Sequence, residues 1–220
     1  MTFNKLKKEY IQCLLASKTI LIKSVDEVPF TLRSGRKSYM FFDHSKLAIS
    51  PKSYKIFIDA IQYLLDQTYD KNEFILCNVD SKISAQMVGS VAYNMTKPQI
   101  IYKSQALLTV EKGSQRQMTG DSNWSMPVAI LDDVATGSDG TAKNVGDLVM
   151  QTFPTIKDIQ IFVGFIREIK QPTYNMHYLV TQKELLDILW TSLQPGQQKA
   201  IEKEWDKNSI FSVDNKNSFA

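Results

Sequence analysis

With 220 residues, 43% of them apolar and 22% charged, the chain is long enough to bury one sizeable core and need not divide into two domains. Its formal net charge of +3, spread thinly along the sequence, excludes a broad polyanion-binding footprint, so neither nucleic acid nor a membrane surface is expected as a partner. The two cysteines, Cys13 and Cys77, have no metal-site spacing and read as reduced structural thiols, which fits a cytoplasmic protein.

The opening MTFNKLKKEYIQCLLASKTILIK places basic residues before apolar ones, but Gln12, Ser17, Lys18 and Thr19 interrupt the apolar run. Leu6, Tyr10, Cys13 and Leu14 recur at helical spacing, so an amphipathic helix over residues 5–16 is predicted instead of a secretory signal. No stretch approaches the roughly 20 apolar residues that a membrane span needs. Residues 28–49 mix Pro29 and Gly35 with alternating apolar positions and predict a short hairpin-like excursion. Ser50 as a cap and Pro51 in the first turn then open a long helix through YKIFIDAIQYLLDQTY.

From there short apolar runs alternate with helical patterns: EFILCNV, ISAQMVGSVAYNM, QIIYK, a long polar stretch, PVAILDDV, a helix from about Thr141, and IQIFVGFI. Short runs that are apolar on both sides and separated by helices predict a mostly parallel central sheet covered on both faces, hence an α/β fold. Two helical patterns around Pro195 and Gly196, between Thr181 and Lys207, predict a C-terminal appendage.

The stretch VAILDDVATGSDGTAKNV carries the chemistry. A parallel strand delivers its carboxyl end to the usual ligand crevice, which puts Asp132 and Asp133 at its mouth. Gly137 and Gly140 let a backbone approach a ligand closely, and Thr136, Ser138 and Thr141 add hydroxyl donors ahead of a helix N-terminus. Adjacent carboxylates suit the vicinal hydroxyls of a sugar, with a phosphate held beyond. The loop lacks the Gly-Lys-Ser/Thr ending of a P-loop, and Asp139 places a negative charge within it. A strand, an acidic turn and a capped helix without a ligand is the alternative reading of the same residues.

An apolar strand, two acidic residues and a Thr/Gly-rich loop resemble the 5-phosphoribosyl-1-diphosphate (PRPP) motif of type I phosphoribosyltransferases. FTLRSGRKSYMFF, residues 30–42, is similar to the FTLKSGRKSPYFF segment of orotate phosphoribosyltransferases, and the C-terminal VTQKELLDIL extends the likeness over about residues 5–205. The resemblance implies one phosphoribosyltransferase domain: a helix and base-binding hood over about 1–50, a PRPP-binding core over about 51–180, and C-terminal helices over about 181–207. It implies transfer of phosphoribosyl from PRPP to orotate, giving orotidine 5-phosphate and pyrophosphate in de novo pyrimidine synthesis.

Residue by residue, the resemblance assigns Asp132 and Asp133 to the ribose hydroxyls, and Thr136, Gly137, Ser138, Gly140 and Thr141 to the 5-phosphate. Lys82, in NVDSKIS, stands at a lysine of the pyrophosphate loop, although Ser81 replaces the aromatic residue that normally precedes it. Arg33 replaces the lysine of FTLKSG beside orotate, keeping the charge but changing a compact ammonium into a planar fork. Phe41 and Phe42 match an aromatic pair beside the base, Thr136 borders it, and Arg167 matches an arginine that reaches the pyrimidine ring. The family's mobile loop RKEAKDHGE is rewritten here as IYKSQALLTVEKGSQRQMTG, in which Lys103, Lys112 and Arg116 are the candidate catalytic cations.

His44 and His177 lie elsewhere in the sequence and read as structural. Mg²⁺ is the implied cofactor, held mainly by PRPP oxygens and water and without a dedicated set of protein ligands. A homodimer with shared active sites is implied as well. A PRPP- or nucleotide-binding regulatory protein, motivated by the rewritten loop, and a transferase for another base remain open alternatives.

Overall fold

The computed structural model describes residues 2–32, 35–69, 74–79, 81–95, 98–103, 118–119, 125–135, 141–167 and 173–208. Helix α1 (Phe3–Ala16) buries Leu6, Tyr10 and Leu14 along one stripe, as its spacing predicts. Four short strands follow: β1 (Ile20–Ile22), β2 (Phe30–Thr31), β3 (Lys37–Ser38) and β4 (Met40–Phe42). The hairpin-like excursion is thus two small antiparallel pairs. β2 meets β3, while β4 turns back onto β1 with Ile20 opposite Phe42. Between β2 and β3, Gly35 has φ +80°, a conformation open to glycine at no steric cost, and its amide donates to the Leu32 carbonyl.

After the single turn α2 (Ser45–Ala48), helix α3 (Pro51–Thr68) starts where predicted, with the Ser50 hydroxyl accepting from the Ser53 amide. Next come β5 (Ile75–Asn78), α4 (Lys82–Tyr93), β6 (Gln99–Lys103), β7 (Met118–Thr119), β8 (Val128–Ala135), α5 (Thr141–Thr152), β9 (Ile159–Ile166) and β10 (Asn175–Thr181). Helices α6 (Gln182–Leu189) and α7 (Pro195–Asn208) close the described chain. Among the elements not anticipated are β1 and β10, along with α2 and the two-residue β7. β1 is only three residues long, and β10 is an edge strand whose first half is incompletely buried, so neither leaves a clear apolar period.

The central sheet runs β10-β9-β8-β5-β6-β7; the first five of these strands are parallel and β7 joins antiparallel to β6. The expected α/β architecture, a mostly parallel sheet flanked by helices, is the one observed. Alternate residues of each strand serve opposite faces. Leu76, Ala129 and Leu131 pack into the layer formed by α1, α3 and α4. Ile75, Cys77, Val128 and Ile130 pack against α5. Helix α1 therefore belongs to the main core layer and is not part of the hood strands.

At Gly164 of β9 an added Cβ would lie 2.7 Å from Phe57, 2.8 Å from the Tyr10 hydroxyl and 3.0 Å from His44 Nε2. Its absent side chain is what lets α1 and the segment after β4 close onto the sheet. Gly164→Ala should cost about 1–3 kcal/mol through overpacking, read as a lower urea midpoint with an unchanged slope.

Candidate active site

The strand order reverses direction at one place. β6 follows β5 to one side, the chain then crosses back to place β8 on the other side of β5, and β9 and β10 continue outward. Diverging connections leave a crevice at the carboxyl ends of β5 and β8, the usual ligand position in an open α/β sheet. The pairing of β5 with β8 ends at Asn78 opposite Leu131, whereas β8 runs on to Ala135 beside β9. Asp132 and Asp133 are therefore the first residues of β8 without a β5 neighbour.

The acidic pair lies inside the strand, so its side chains diverge. Asp132 is 6% exposed on the α5 side, and its carboxylate accepts from the Asp133 amide at 2.9 Å. Asp133 lies on the other face, with Oδ2 3.6 Å from His44 Nδ1 and its side chain 19% exposed. Thr141, half-buried, opens α5 immediately beyond the loop.

Across the crevice, Ser81 caps α4 by accepting from the Ser84 amide. That explains its presence where the resemblance has an aromatic residue. The buried Ser84 hydroxyl donates to the Leu131 carbonyl at 2.5 Å and accepts from the Val79 amide at 2.8 Å, tying the first turn of α4 to β8 next to Asp132. Lys82 is exposed at that helix start and forms no ion pair among the described residues.

The hood supplies a different geometry from the one its motif implies. Of the two hood phenylalanines, Phe42 takes a core position: its ring is buried, stacked on Phe165 at 4.1 Å and tilted against His44 at 4.6 Å. Phe41 is only half-buried beside Phe30, with a centroid distance of 5.4 Å. Arg167 is also buried. It donates to Ser38 Oγ at 3.1 Å and to the Met40 carbonyl at 2.9 Å, which ties the end of β9 to the hood. Glu204 of α7 accepts from the same Ser38 hydroxyl and from the Tyr39 amide. Arg33, Thr136, Gly137, Ser138, Gly140, Lys112 and Arg116 lie outside the described residues, and Lys103 ends β6 opposite Met118.

Sequence reasoning gave Tyr10 only a place on the α1 apolar stripe and took His44 for a structural residue. His44 is fully enclosed between Tyr10, Phe42 and Phe57, and its Nε2 lies 2.5 Å from the Tyr10 hydroxyl. Burial pushes the imidazole down to about 4, against the opposing pull of Asp133 and then Asp43. Burial, followed by Asp133 and Cys13, holds the Tyr10 hydroxyl well above its ordinary value. Both groups are therefore neutral at neutral pH. His177 is structural as expected, stacked on Phe162 with Nε2 2.7 Å from Gln160 Oε1.

Among solved structures, the chain is similar to UMP synthase from Leishmania donovani, with a TM-score of 0.65 and 16% identity over 90% of this chain. It is also similar to orotate phosphoribosyltransferase from Aeropyrum pernix, at 0.61 and 19% identity over 82% of this chain and 98% of that one. Adenine phosphoribosyltransferase from Saccharomyces cerevisiae gives 0.53 and 14% identity over 78% of this chain and 98% of that one. The fold is that of the type I phosphoribosyltransferases. This chain spans only 42% of the UMP synthase chain. No protein-family model and no curated protein matches it.

The buried imidazole has a pH signature. With its value lowered from 6.5 to about 4, the unfolded chain binds a proton in that window that the native chain does not. The contribution is intact above pH 6.5 and is lost as pH falls toward 4, by roughly 3 kcal/mol in total. Urea unfolding followed from about pH 7 to about pH 4.5 should show a steeper acid loss for the native sequence than for His44→Gln; equal slopes would mean that His44 is not held neutral.

Proposed function

We propose that this chain is a phosphoribosyltransferase acting on PRPP, with orotate as the base. The observation that carries the reading is the placement of Asp132 and Asp133 where β8 outruns β5, at the carboxyl ends of the strands from which the Ser81-capped helix α4, with Lys82 in its first turn, departs. A likeness in fold to transferases for two different bases supports the PRPP half of the proposal more strongly than the orotate half.

In this reading the C1–pyrophosphate bond of PRPP breaks as the orotate nitrogen attacks C1, and the leaving oxygen takes the bonding electrons. The protein's work is to position the ribose and stabilise the developing charge. Asp132 and Asp133 accept from the ribose hydroxyls. Thr136, Gly137, Ser138, Gly140 and Thr141 receive the 5-phosphate at the start of α5, where unpaired helix amides favour an anion. Lys82, with Lys103, Lys112 or Arg116 from the rewritten loop, meets the pyrophosphate. Arg33 pairs with the orotate carboxylate and Phe41 flanks the ring, while Arg167 acts by fixing the hood.

Among the described residues no group of three or more His, Cys, Asp or Glu side chains comes together as a metal site. In the proposed reaction Mg²⁺ would be carried mainly by diphosphate and ribose oxygens with water, where the ion would neutralise charge on the leaving group. A transferase for another base is the second reading, favoured by one observation: the Arg167 nitrogens described above donate to the hood.

An absorbance assay with PRPP and Mg²⁺ should show orotate consumption. PRPP binding without loss of orotate would support the second reading or a regulatory role. Asp132→Asn with Asp133→Asn should weaken PRPP binding roughly tenfold to a hundredfold, the scale of lost charge-assisted hydrogen bonds, and unchanged calorimetric binding would remove the pair from the site.

A homodimer with the loop acting in trans is part of the proposal. Mixing the Asp pair variant with one carrying Lys103, Lys112 and Arg116 all as Ala should restore activity in one of the two sites of each mixed dimer. Subunit exchange without recovery would rule out action in trans.

A further inference from the structure

Between the acidic pair and the core lies a polar chain that the resemblance does not include. Tyr10 comes from α1, His44 from the turn after β4, and Asp133 from β8, so three separate elements converge over Gly164 of β9. The Tyr10 and His44 rings are buried, with the hydroxyl 2.5 Å from Nε2. His44 Nδ1 is buried and has no hydrogen-bond partner among the described residues, although it is aimed at Asp133 Oδ2 at 3.6 Å. A buried, unpaired ring nitrogen costs free energy in a core where Phe42 and Phe57 cover the ring faces. Its retention there calls for a compensating role.

The protonation pattern follows from the donors and acceptors. An ionised carboxylate only accepts, so the nitrogen facing Asp133 must carry the proton. A neutral imidazole has one N–H, so Nε2 accepts and the Tyr10 hydroxyl donates. The gap of 3.6 Å exceeds a hydrogen bond, and a shift of roughly half an ångström in the carboxylate closes it.

We propose that Tyr10 and His44 are positioning residues for Asp133: Tyr10 fixes the imidazole tautomer, Nδ1–H holds Oδ2, and the other carboxylate oxygen is left to accept from a sugar hydroxyl in the crevice. This rests on the reading of the crevice as a ribose 5-phosphate site. The proposed chain touches hydroxyl recognition and leaves phosphate binding to the opposite end of the site. Its signature is therefore a loss of discrimination between ribose and deoxyribose, in place of a general loss of affinity.

The test titrates ribose 5-phosphate and 2-deoxyribose 5-phosphate into the full chain by calorimetry, for the native sequence, Tyr10→Phe and Phe57→Leu. Tyr10→Phe keeps the ring and removes only the donor. Phe57→Leu disturbs the packing on the Tyr10 and His44 rings while leaving every donor and acceptor of the polar chain in place. Native protein should prefer the ribose compound, and Tyr10→Phe should reduce that preference by roughly tenfold, the scale of one hydrogen bond to a charged group. Phe57→Leu should lose stability while keeping the preference.

Nitrogen chemical shifts of His44 should show the Nδ1–H form in native protein and a mixture of tautomers in Tyr10→Phe. An unchanged preference in Tyr10→Phe, or an equal loss in Phe57→Leu, overturns the positioning role while leaving the sugar-phosphate site intact. If native protein binds neither compound, the reading of the crevice itself falls.

Discussion

The site depends on one register fact: β8 is longer than the β5 strand beside it. Backbone pairing between them stops at Leu131, and the next two residues have β9 on one side only, at the place where the strand order reverses. Asp132 is nevertheless buried there, and its carboxylate is satisfied in part by the Asp133 amide, while Asp133 stays partly exposed. The flanking parallel strands are almost wholly buried and form a rigid frame, which is what a site that works by positioning requires.

Small polar groups hold the rim of the crevice in place. Ser81 caps α4, Ser84 ties the same turn to Leu131, and Arg167 reaches from the end of β9 to Ser38 and Met40. Glu204 adds the C-terminal helix through Ser38 and Tyr39. Apart from the Ser81 cap, each bond joins residues from different elements, so the hood, the core and the C-terminal appendage are tied by polar contacts. Phe42 is stacked on Phe165, and so serves the core although its motif suggests a ligand role.

Gly164 shows how closely site and core are joined. Its bare backbone lets Tyr10, His44 and Phe57 reach β9, and the same approach carries His44 to within 3.6 Å of Asp133. The imidazole stays neutral because burial outweighs the attraction of two nearby carboxylates. A protonated histidine would neutralise Asp133, whereas a neutral one orients it and leaves its charge in place.

What the sequence determined by itself was carried by local pattern. Apolar runs bounded by helical periods marked the parallel strands, Ser50 and Pro51 marked the start of α3, and VAILDDVA marked the strand that outruns β5. β1 and β10 escaped because a three-residue strand and a half-exposed edge strand leave too little periodic signal. Tertiary structure alone decided that Phe42 is core, that Arg167 ties down the hood, and that Tyr10 and His44 lie behind Asp133. Those outcomes come from residues far apart in the chain meeting across packed layers. Spacing along a single element encodes which face a side chain takes, but what it meets there is set by how the layers dock.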